Sequence, residues 1–188
     1  MLAGLKSGNP AKRAATLKEL TELDESEAFS LITGLFDDRS AEVRNQAAHA
    51  LYEFKPDRAS SFTRALREGN AERRRNIAAA INGSGLAAEA INSLAGESRE
   101  KTYDAFSILF LMAKAGEVQA LLQTIEKHPD VGVRLSVIRV LTFSNQPNII
   151  PAFRSLAVRG SLPTEVRSAV MEAIYQISKD ARENSLYC

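Results

Sequence analysis

The chain has 188 residues, of which 45% are hydrophobic, so it is long enough to bury a continuous core. Its 24 Lys and Arg residues nearly balance its 23 Asp and Glu residues, and a formal charge of +1 gives no global attraction to nucleic acid or anionic membranes. The sequence also lacks an apolar run of the roughly 18 residues that a membrane span needs.

Cysteine and histidine usage argues against an intrachain disulfide and against a zinc site. Cys188 is the only cysteine, and the two histidines, His49 and His128, lie far apart. The first ten residues lack the basic and apolar regions of a signal peptide. We therefore expect a cytoplasmic protein that binds no cofactor and no metal.

Breaker residues divide the chain, from its start, into short helices that come in pairs. In the first pair, residues 1–5 provide little more than the last turn of a first helix, and Asn9-Pro10 begins the second helix. This predicts a truncated first pair, which is either the result of a cut in the chain or a natural end cap. Later pairs begin at Asp24, 56–57, 82–85, Gly116 and 145–147, and their second helices follow breakers at 37–38, 68–70, Gly96, 128–130 and 160–163. Sustained alternation with period two is missing, so we expect no strands.

Three columns of residues recur from one helix pair to the next. An aliphatic column consists of Leu20, Leu51, Ile81, Leu109, Leu141 and Ile174, separated by 31, 30, 28, 32 and 33 residues. Seven residues earlier stands the arginine column, Arg13, Arg44, Arg74, Thr102, Arg134 and Arg167. A third column marks the end of each first helix at Leu5, Leu35, Leu66, Leu94, Ile125 and Leu156.

This periodicity predicts an all-α solenoid of about six two-helix repeats, with one repeat domain over residues 1–179 and a polar C-terminal tail over residues 180–188. Apolar residues at three-to-four-residue spacing on the helices predict the core. The expected interior residues are Leu35, Ala47, Leu51, Leu66, Ile77, Ile81, Leu94, Leu109, Leu121, Ile125, Val137, Leu141, Phe153, Val170 and Ile174.

Three second helices carry a Val-Arg dipeptide near their start, within the sequences Ala-Glu-Val-Arg at 41–44, Val-Arg at 133–134 and Glu-Val-Arg at 165–167. With a pair length of about 30 residues, these pieces resemble HEAT repeats of the short bacterial, phycobilisome-lyase-like kind. The resemblance covers nearly the whole chain. It departs at Thr102, where the arginine is missing, and at Lys12, Arg73 and Lys101, where the usual valine is charged.

The resemblance implies that the arginine column is structural and bonds to carboxylates or carbonyls of the turn. Asp38 and Asp130 stand close enough ahead of Arg44 and Arg134 to take this role. A second interpretation is that repeated cations follow the phosphates of a nucleic acid.

Charge is unevenly distributed between neighbouring helix pairs. Residues 19–38 hold seven acids and no cation, whereas residues 55–75 hold seven cations. Arg73 and Arg75 flank the column residue Arg74, and we interpret both as spare cations. The two stretches either neutralise each other across neighbouring pairs or form a bipolar docking surface.

The second helix of each pair lines the inner face of such a stack, so polar residues two and five positions after the arginine column predict a continuous binding band. Its members are Gln46, His49, Asn76, Asp104, Ser107, Ser136, Arg139 and Glu172. Tyr52, Tyr103 and Phe110 are candidates for buried contact with a partner, and Arg75 joins His49 and Arg139 as a candidate for polar specificity. Helix 101–114 is apolar on more than one side, and it either packs in the core or exposes Phe110 and Leu111 beside Phe143.

These features predict a protein-binding scaffold or adaptor, not an enzyme, with a protein or peptide partner and no small-molecule substrate. Catalytic motifs are missing, and Asn82-Gly83-Ser84-Gly85 matches neither phosphate-binding glycine pattern. The resemblance also implies an alternative, a subunit or chaperone-like component of a bilin lyase. Against it, the only cysteine of this chain that could hold a bilin covalently is Cys188, its last residue. Another is a nucleic-acid-binding HEAT-like protein, against which the absence of tryptophan argues. A third is a purely structural segment of a longer protein.

Overall fold

The computed structural model describes residues 4, 7–17, 20, 24–54, 57–96, 98–158 and 162–186. Their regular structure is entirely helical, which confirms the all-α prediction. Some residues that the sequence predictions use lie outside these ranges, namely Leu5, Glu19, Glu22, Lys55, Pro56, Gly160, Ser161 and Cys188.

Eleven α-helices occur in the described residues. They are α1 (Pro10–Thr16), α2 (Glu25–Gly34), α3 (Ala41–Glu53), α4 (Arg58–Glu68), α5 (Ala71–Gly83), α6 (Leu86–Ser93), α7 (Arg99–Lys114), α8 (Gln119–Lys127), α9 (Val131–Ser144), α10 (Ile150–Val158) and α11 (Thr164–Leu186). Short 3-10 turns, Leu35–Asp37 and Pro147–Ile149, follow α2 and precede α10. The helices form α1 and five complete pairs, as the periodicity predicts for a helical-repeat fold of the solenoid class.

The predicted breakers start helices by capping them. The side chains of Asn9, Asp24, Asp57 and Asn70 accept hydrogen bonds from amides in the first turns of α1, α2, α4 and α5. Asp130 does the same for α9, where it accepts from the Val133 amide at 3.0 Å. These amides have no partner within the helix, so polar caps fix where each helix begins.

Contacts divide the chain into two compact units, the N-terminal unit (residues 1–88) and the C-terminal unit (residues 89–188). In the N-terminal unit α3 lies between α1 and α5 and packs against both. Gly83 of α5 approaches α3 so closely that a Cβ at this position would lie 2.9 Å from Asn45 Oδ1. In the C-terminal unit α9 packs against α7 and α11 in the same way. Second helices therefore pack directly against one another within each unit.

The core follows the predicted columns with one exception. All the expected interior residues are buried apart from Ile174, which is half-buried. Val166, Val170, Ala173 and Ile177 form the buried face of α11, and their spacing of four, three and four residues places Ile174 beside that face. The expectation for Ile174 was wrong because the buried face of α11 continues through Ala173 and Ile177 and leaves Ile174 at its edge.

The last helix extends beyond the predicted boundary between the repeat domain and the polar tail. Residue 179 lies inside α11, because this helix runs on to Leu186. The organisation of residues 1–179 as one domain stays a prediction. Within the residues that the structure describes, no helix is both long and apolar enough to cross a membrane.

Candidate functional site

The arginine column lies at the turn between the two helices of each pair. Each of its five arginines donates a side-chain hydrogen bond to a carbonyl oxygen just ahead of its own helix. The acceptors are Ser7 for Arg13, Asp38 for Arg44, Leu66 and Gly69 for Arg74, His128 for Arg134, and Leu162 for Arg167. Carbonyls at a helix end lack partners within the helix, so these arginines close the turns. Their geometry favours the structural interpretation of the column over the nucleic-acid interpretation.

Thr102 occupies the one column position that lacks arginine. Its hydroxyl donates to the Ser93 carbonyl at 3.3 Å and to the Gly96 carbonyl at 3.4 Å. These acceptors lie in the turn before α7, in the place that the arginines reach elsewhere. The shorter side chain therefore makes the same kind of contact, and the departure from the repeat pattern does not leave the turn open.

Arg13 also joins two successive helix pairs. Its Nε and Nη2 atoms donate to the two carboxylate oxygens of Asp38 at 2.6 and 2.7 Å. The hydrogen bond from Arg13 lowers the pKa of Asp38, although partial burial opposes this shift, and the Ser40 amide adds a further bond at 2.8 Å. Two parallel bonds to a little-exposed carboxylate fix both groups in position.

Arginines of the cationic stretch (55–75) contact residues of the acidic stretch (19–38). Arg73 donates from Nε and Nη2 to Asp37, and this hydrogen bonding raises the pKa of Arg73. Arg64 lies over the Phe29 ring with its guanidinium carbon 3.9 Å from the ring centroid. Our interpretation of Arg73 as a spare cation was wrong, because it spans from α5 to the turn that follows α2. These contacts favour neutralisation across neighbouring pairs over a bipolar docking surface.

Two of the band residues in the N-terminal unit make contacts between successive pairs. The His49 Nε2 atom lies 3.0 Å from the Ser84 carbonyl oxygen, and Asn76 Nδ2 donates to the Phe36 carbonyl at 2.9 Å. Both side chains are half-buried, whereas Gln46 is exposed. The His49 ring therefore makes a contact within the stack, and its role in polar specificity stays a prediction.

Tyr52 is also engaged within the N-terminal unit. Arg58 donates to its hydroxyl oxygen at 2.9 Å, and the guanidinium carbon lies 4.2 Å from the ring centroid. This cation–π contact connects α3 to α4 of the next pair. Tyr52 is half-buried, so of these two predicted contact residues only Arg75 is exposed.

The other band residues lie in the C-terminal unit. Asp104, Ser107 and Ser136 are half-buried, whereas Arg139 and Glu172 are exposed. The members in each unit lie on second helices, as expected. One continuous band that runs through all of them stays a prediction.

The C-terminal unit exposes a group of aromatic side chains, here called the aromatic cluster (Tyr103, Phe106 and Phe143). Tyr103 on α7 is 67% exposed and Phe143 on α9 is 64% exposed. The rings of Phe106 and Phe143 meet edge to face, with centroids 6.0 Å apart and an interplanar angle of 73°. Tyr103 and Phe106 line a shallow cavity of about 460 Å³ with Arg99. Large apolar side chains exposed on adjacent helices are characteristic of binding surfaces.

The sequence identified only part of this cluster. One of our two interpretations of helix 101–114 exposed Phe110 and Leu111 beside Phe143. Phe110 and Leu111 are half-buried, and the aromatic ring that meets Phe143 is that of Phe106. The helical spacing could have indicated Phe106, because it follows Tyr103 by three residues and shares its face. On α9, Arg139 precedes Phe143 by four residues, so an exposed cation lies one turn from the cluster.

A second exposed apolar pair lies on α11. Met171 is 56% exposed and Tyr175 is 72% exposed, and the four-residue spacing puts them on one face. The described residues contain no group of three or more His, Cys, Asp or Glu side chains that could hold a metal ion.

Comparison with known proteins gives a family match for the N-terminal part. Residues 1–82 match the family model for HEAT repeats, which supports a HEAT-repeat protein. A solved crystal structure of an engineered protein is similar over 95% of both chains, with 17% sequence identity and a TM-score of 0.35. The search of curated proteins gave no match.

Proposed function

We propose that this chain is a non-catalytic, cytoplasmic scaffold that binds a protein partner through the aromatic cluster of the C-terminal unit. The observation that carries the proposal is the exposure of Tyr103 and Phe143 on adjacent second helices, joined through Phe106. Aromatic side chains bury large areas at little cost in conformational entropy, and Tyr is enriched among the residues that contribute most to interface energy.

Arg139 supports this position for the interface. It is exposed one helical turn from Phe143, and arginine beside aromatic residues is another feature of energetically important interface positions. In the N-terminal unit, by contrast, His49, Tyr52 and Asn76 already bind groups of their own fold. We therefore place the main contact with the partner in the C-terminal unit, with the band residues of that unit as its rim.

Affinity capture from a lysate of the source organism tests this proposal. The wild type is compared with Tyr103→Ser/Phe143→Ser and with the control Val158→Ser. The control removes an exposed apolar side chain from α10, which is the first helix of its pair. We expect a specific partner, identified by mass spectrometry, to be lost from the double variant and kept by the control. Retention by a double variant that is folded by circular dichroism would contradict the proposal.

The finer resemblance to phycobilisome-lyase-like repeats implies a different partner, a bilin or a bilin-carrying protein. Visible absorbance of the purified protein separates the two possibilities, because a bound tetrapyrrole absorbs where the protein does not. A scaffold that takes a protein partner, with no small molecule and no nucleic acid, should show no visible absorbance and only the weak tyrosine band in the near ultraviolet.

A further inference from the structure

Two exposed side chains on neighbouring helices of the C-terminal unit carry opposite charges. Arg139 lies on α9 and Glu172 on α11, and these two helices pack against each other. Among the residues that the structure describes, neither side chain takes part in a hydrogen bond or an ion pair, whereas Asp104, the other acid of the band, already has an interaction. Both charges are therefore available to a group outside the chain.

Arg139 and Glu172 lie at the same height along their helices. Each follows the column arginine of its own helix by five residues, and those arginines, Arg134 and Arg167, both bond to the turn just ahead of their helices. As second helices of successive pairs, α9 and α11 run in the same direction. Equal distances from the turn therefore place the two charges side by side.

An exposed aromatic side chain lies one turn beyond each of these charges. Phe143 follows Arg139 by four residues on α9, and Tyr175 follows Glu172 by three residues on α11, so each aromatic residue shares a face with its charged neighbour. We call these four residues the α9–α11 face. One of its helices presents a cation and an aromatic ring, and the other presents an anion and an aromatic ring in the same order.

We propose that the α9–α11 face binds a second copy of this chain, across a twofold axis that runs along the helices midway between α9 and α11. Such an axis lays α9 of one copy on α11 of the other at equal height. Arg139 then meets Glu172 of the second copy, Phe143 meets Tyr175 of the second copy, and both contacts occur twice. The proposal rests on the function proposed for the aromatic cluster, because Phe143 belongs to both surfaces, and it names the partner.

The charge pattern favours a second copy because a twofold contact requires a surface that is complementary to itself. Two like charges at equal height on α9 and α11 would repel in this arrangement, whereas Arg139 and Glu172 attract at both of their meeting points. The aromatic rings supply area to bury, and the charges fix the register of the two copies.

Sedimentation velocity of the purified full chain at rising concentration tests the proposal. We expect the wild type to show a reversible monomer–dimer equilibrium. Arg139→Glu or Glu172→Arg alone places like charges opposite each other twice, so each should weaken self-association about tenfold or more. In a dimer with one copy of each variant, both pairs have opposite charges again. Mixing the two variants should therefore restore dimers.

Arg154→Glu is the matched control, because it reverses an exposed charge on α10, away from the proposed face, and should leave self-association unchanged. A wild type that stays monomeric, or variants that fail to associate when mixed, would overturn the proposal. If the wild type is monomeric and Tyr103→Ser/Phe143→Ser loses a different captured protein, the second copy is refuted and the function proposed for the aromatic cluster stands. A monomeric wild type that captures no protein through these residues would refute both.

Discussion

The two units stack their second helices by different means. In the N-terminal unit, successive pairs are joined by polar contacts, with Arg13 on Asp38, Arg73 on Asp37 and Asn76 on the Phe36 carbonyl. The buried face of α3 includes two small residues, Ala47 and Ala48. In the C-terminal unit, α7 and α9 present larger buried side chains, Ile108, Leu109, Met112, Val137, Ile138, Val140 and Leu141.

This difference shows that one repeat geometry accepts two kinds of interface. Alanine lets helices approach closely but buries little apolar area, so directed polar contacts make up part of the stabilisation. Larger aliphatic residues stabilise mainly by area and volume. The N-terminal unit should therefore respond to charge and pH, and the C-terminal unit to the loss of side-chain volume.

The largest expected effect is the loss of volume in the C-terminal unit. Leu109→Ala or Leu141→Ala removes a fully buried side chain and should lower the free energy of unfolding by about 2 to 5 kcal/mol in urea denaturation. The half-buried Ile174 gives a matched control, since Ile174→Ala should cost clearly less. Equal losses at all three positions would show that the buried face of α11 is wrongly assigned.

The next largest effect concerns the carboxylate that joins pairs in the N-terminal unit. Asp38→Asn keeps an acceptor for the Ser40 amide but removes the charge opposite Arg13, so it should destabilise the protein at pH 7. Because the pKa of Asp38 is lowered in the fold, its contribution is complete above its unfolded value of about 4 and is lost as the pH falls from there through the folded value.

Thermal melts of wild type and Asp38→Asn from pH 7 to pH 2 check this sign. The difference between them should stay constant near neutrality and shrink below about pH 4. Asp37→Asn is the control, because the Arg73–Asp37 pair is more exposed and should matter less. A difference that grows on acidification would contradict the assignment.

The arginine column provides a smaller effect with an adjacent control. Arg74→Met removes the bonds to the Leu66 and Gly69 carbonyls, both 2.9 Å, and should cost about 1 kcal/mol. Arg75 is exposed like Arg74 but lies outside the column, so Arg75→Met should change stability by less than about 0.5 kcal/mol. If the two variants are equally stable, the column does not stabilise the turns.

The smallest effect is expected on the exposed polar band. Arg139→Ala/Glu172→Ala should leave the free energy of unfolding within about 1 kcal/mol of the wild type, because both side chains are exposed. His49→Ala should cost more than this pair, since it removes the contact with Ser84. The reverse order would show that the structural and exposed members of the band have been exchanged.

Periodicity predicted most of the fold because the columns repeat once per helix pair. Breakers such as Asn9, Asp57 and Asp130 could be recognised because a short polar side chain supplies the acceptor that a helix start requires. The site was harder to predict. A sequence column shows which face a residue occupies but not its partner across the stack. Arg73 and His49 were therefore interpreted without Asp37 and Ser84, and Phe106, which packs on Phe143, was missed.

Photo-crosslinking from the aromatic cluster tests the central claim, that a protein partner docks there, most directly. A photoreactive phenylalanine analogue replaces Phe143 on α9 or, as the control, the more exposed Val158 on α10, and crosslinked products are identified in cells of the source organism. We predict one specific protein adduct from position 143 and none from position 158. The same adduct from both positions, or adducts only from position 158, would contradict the claim.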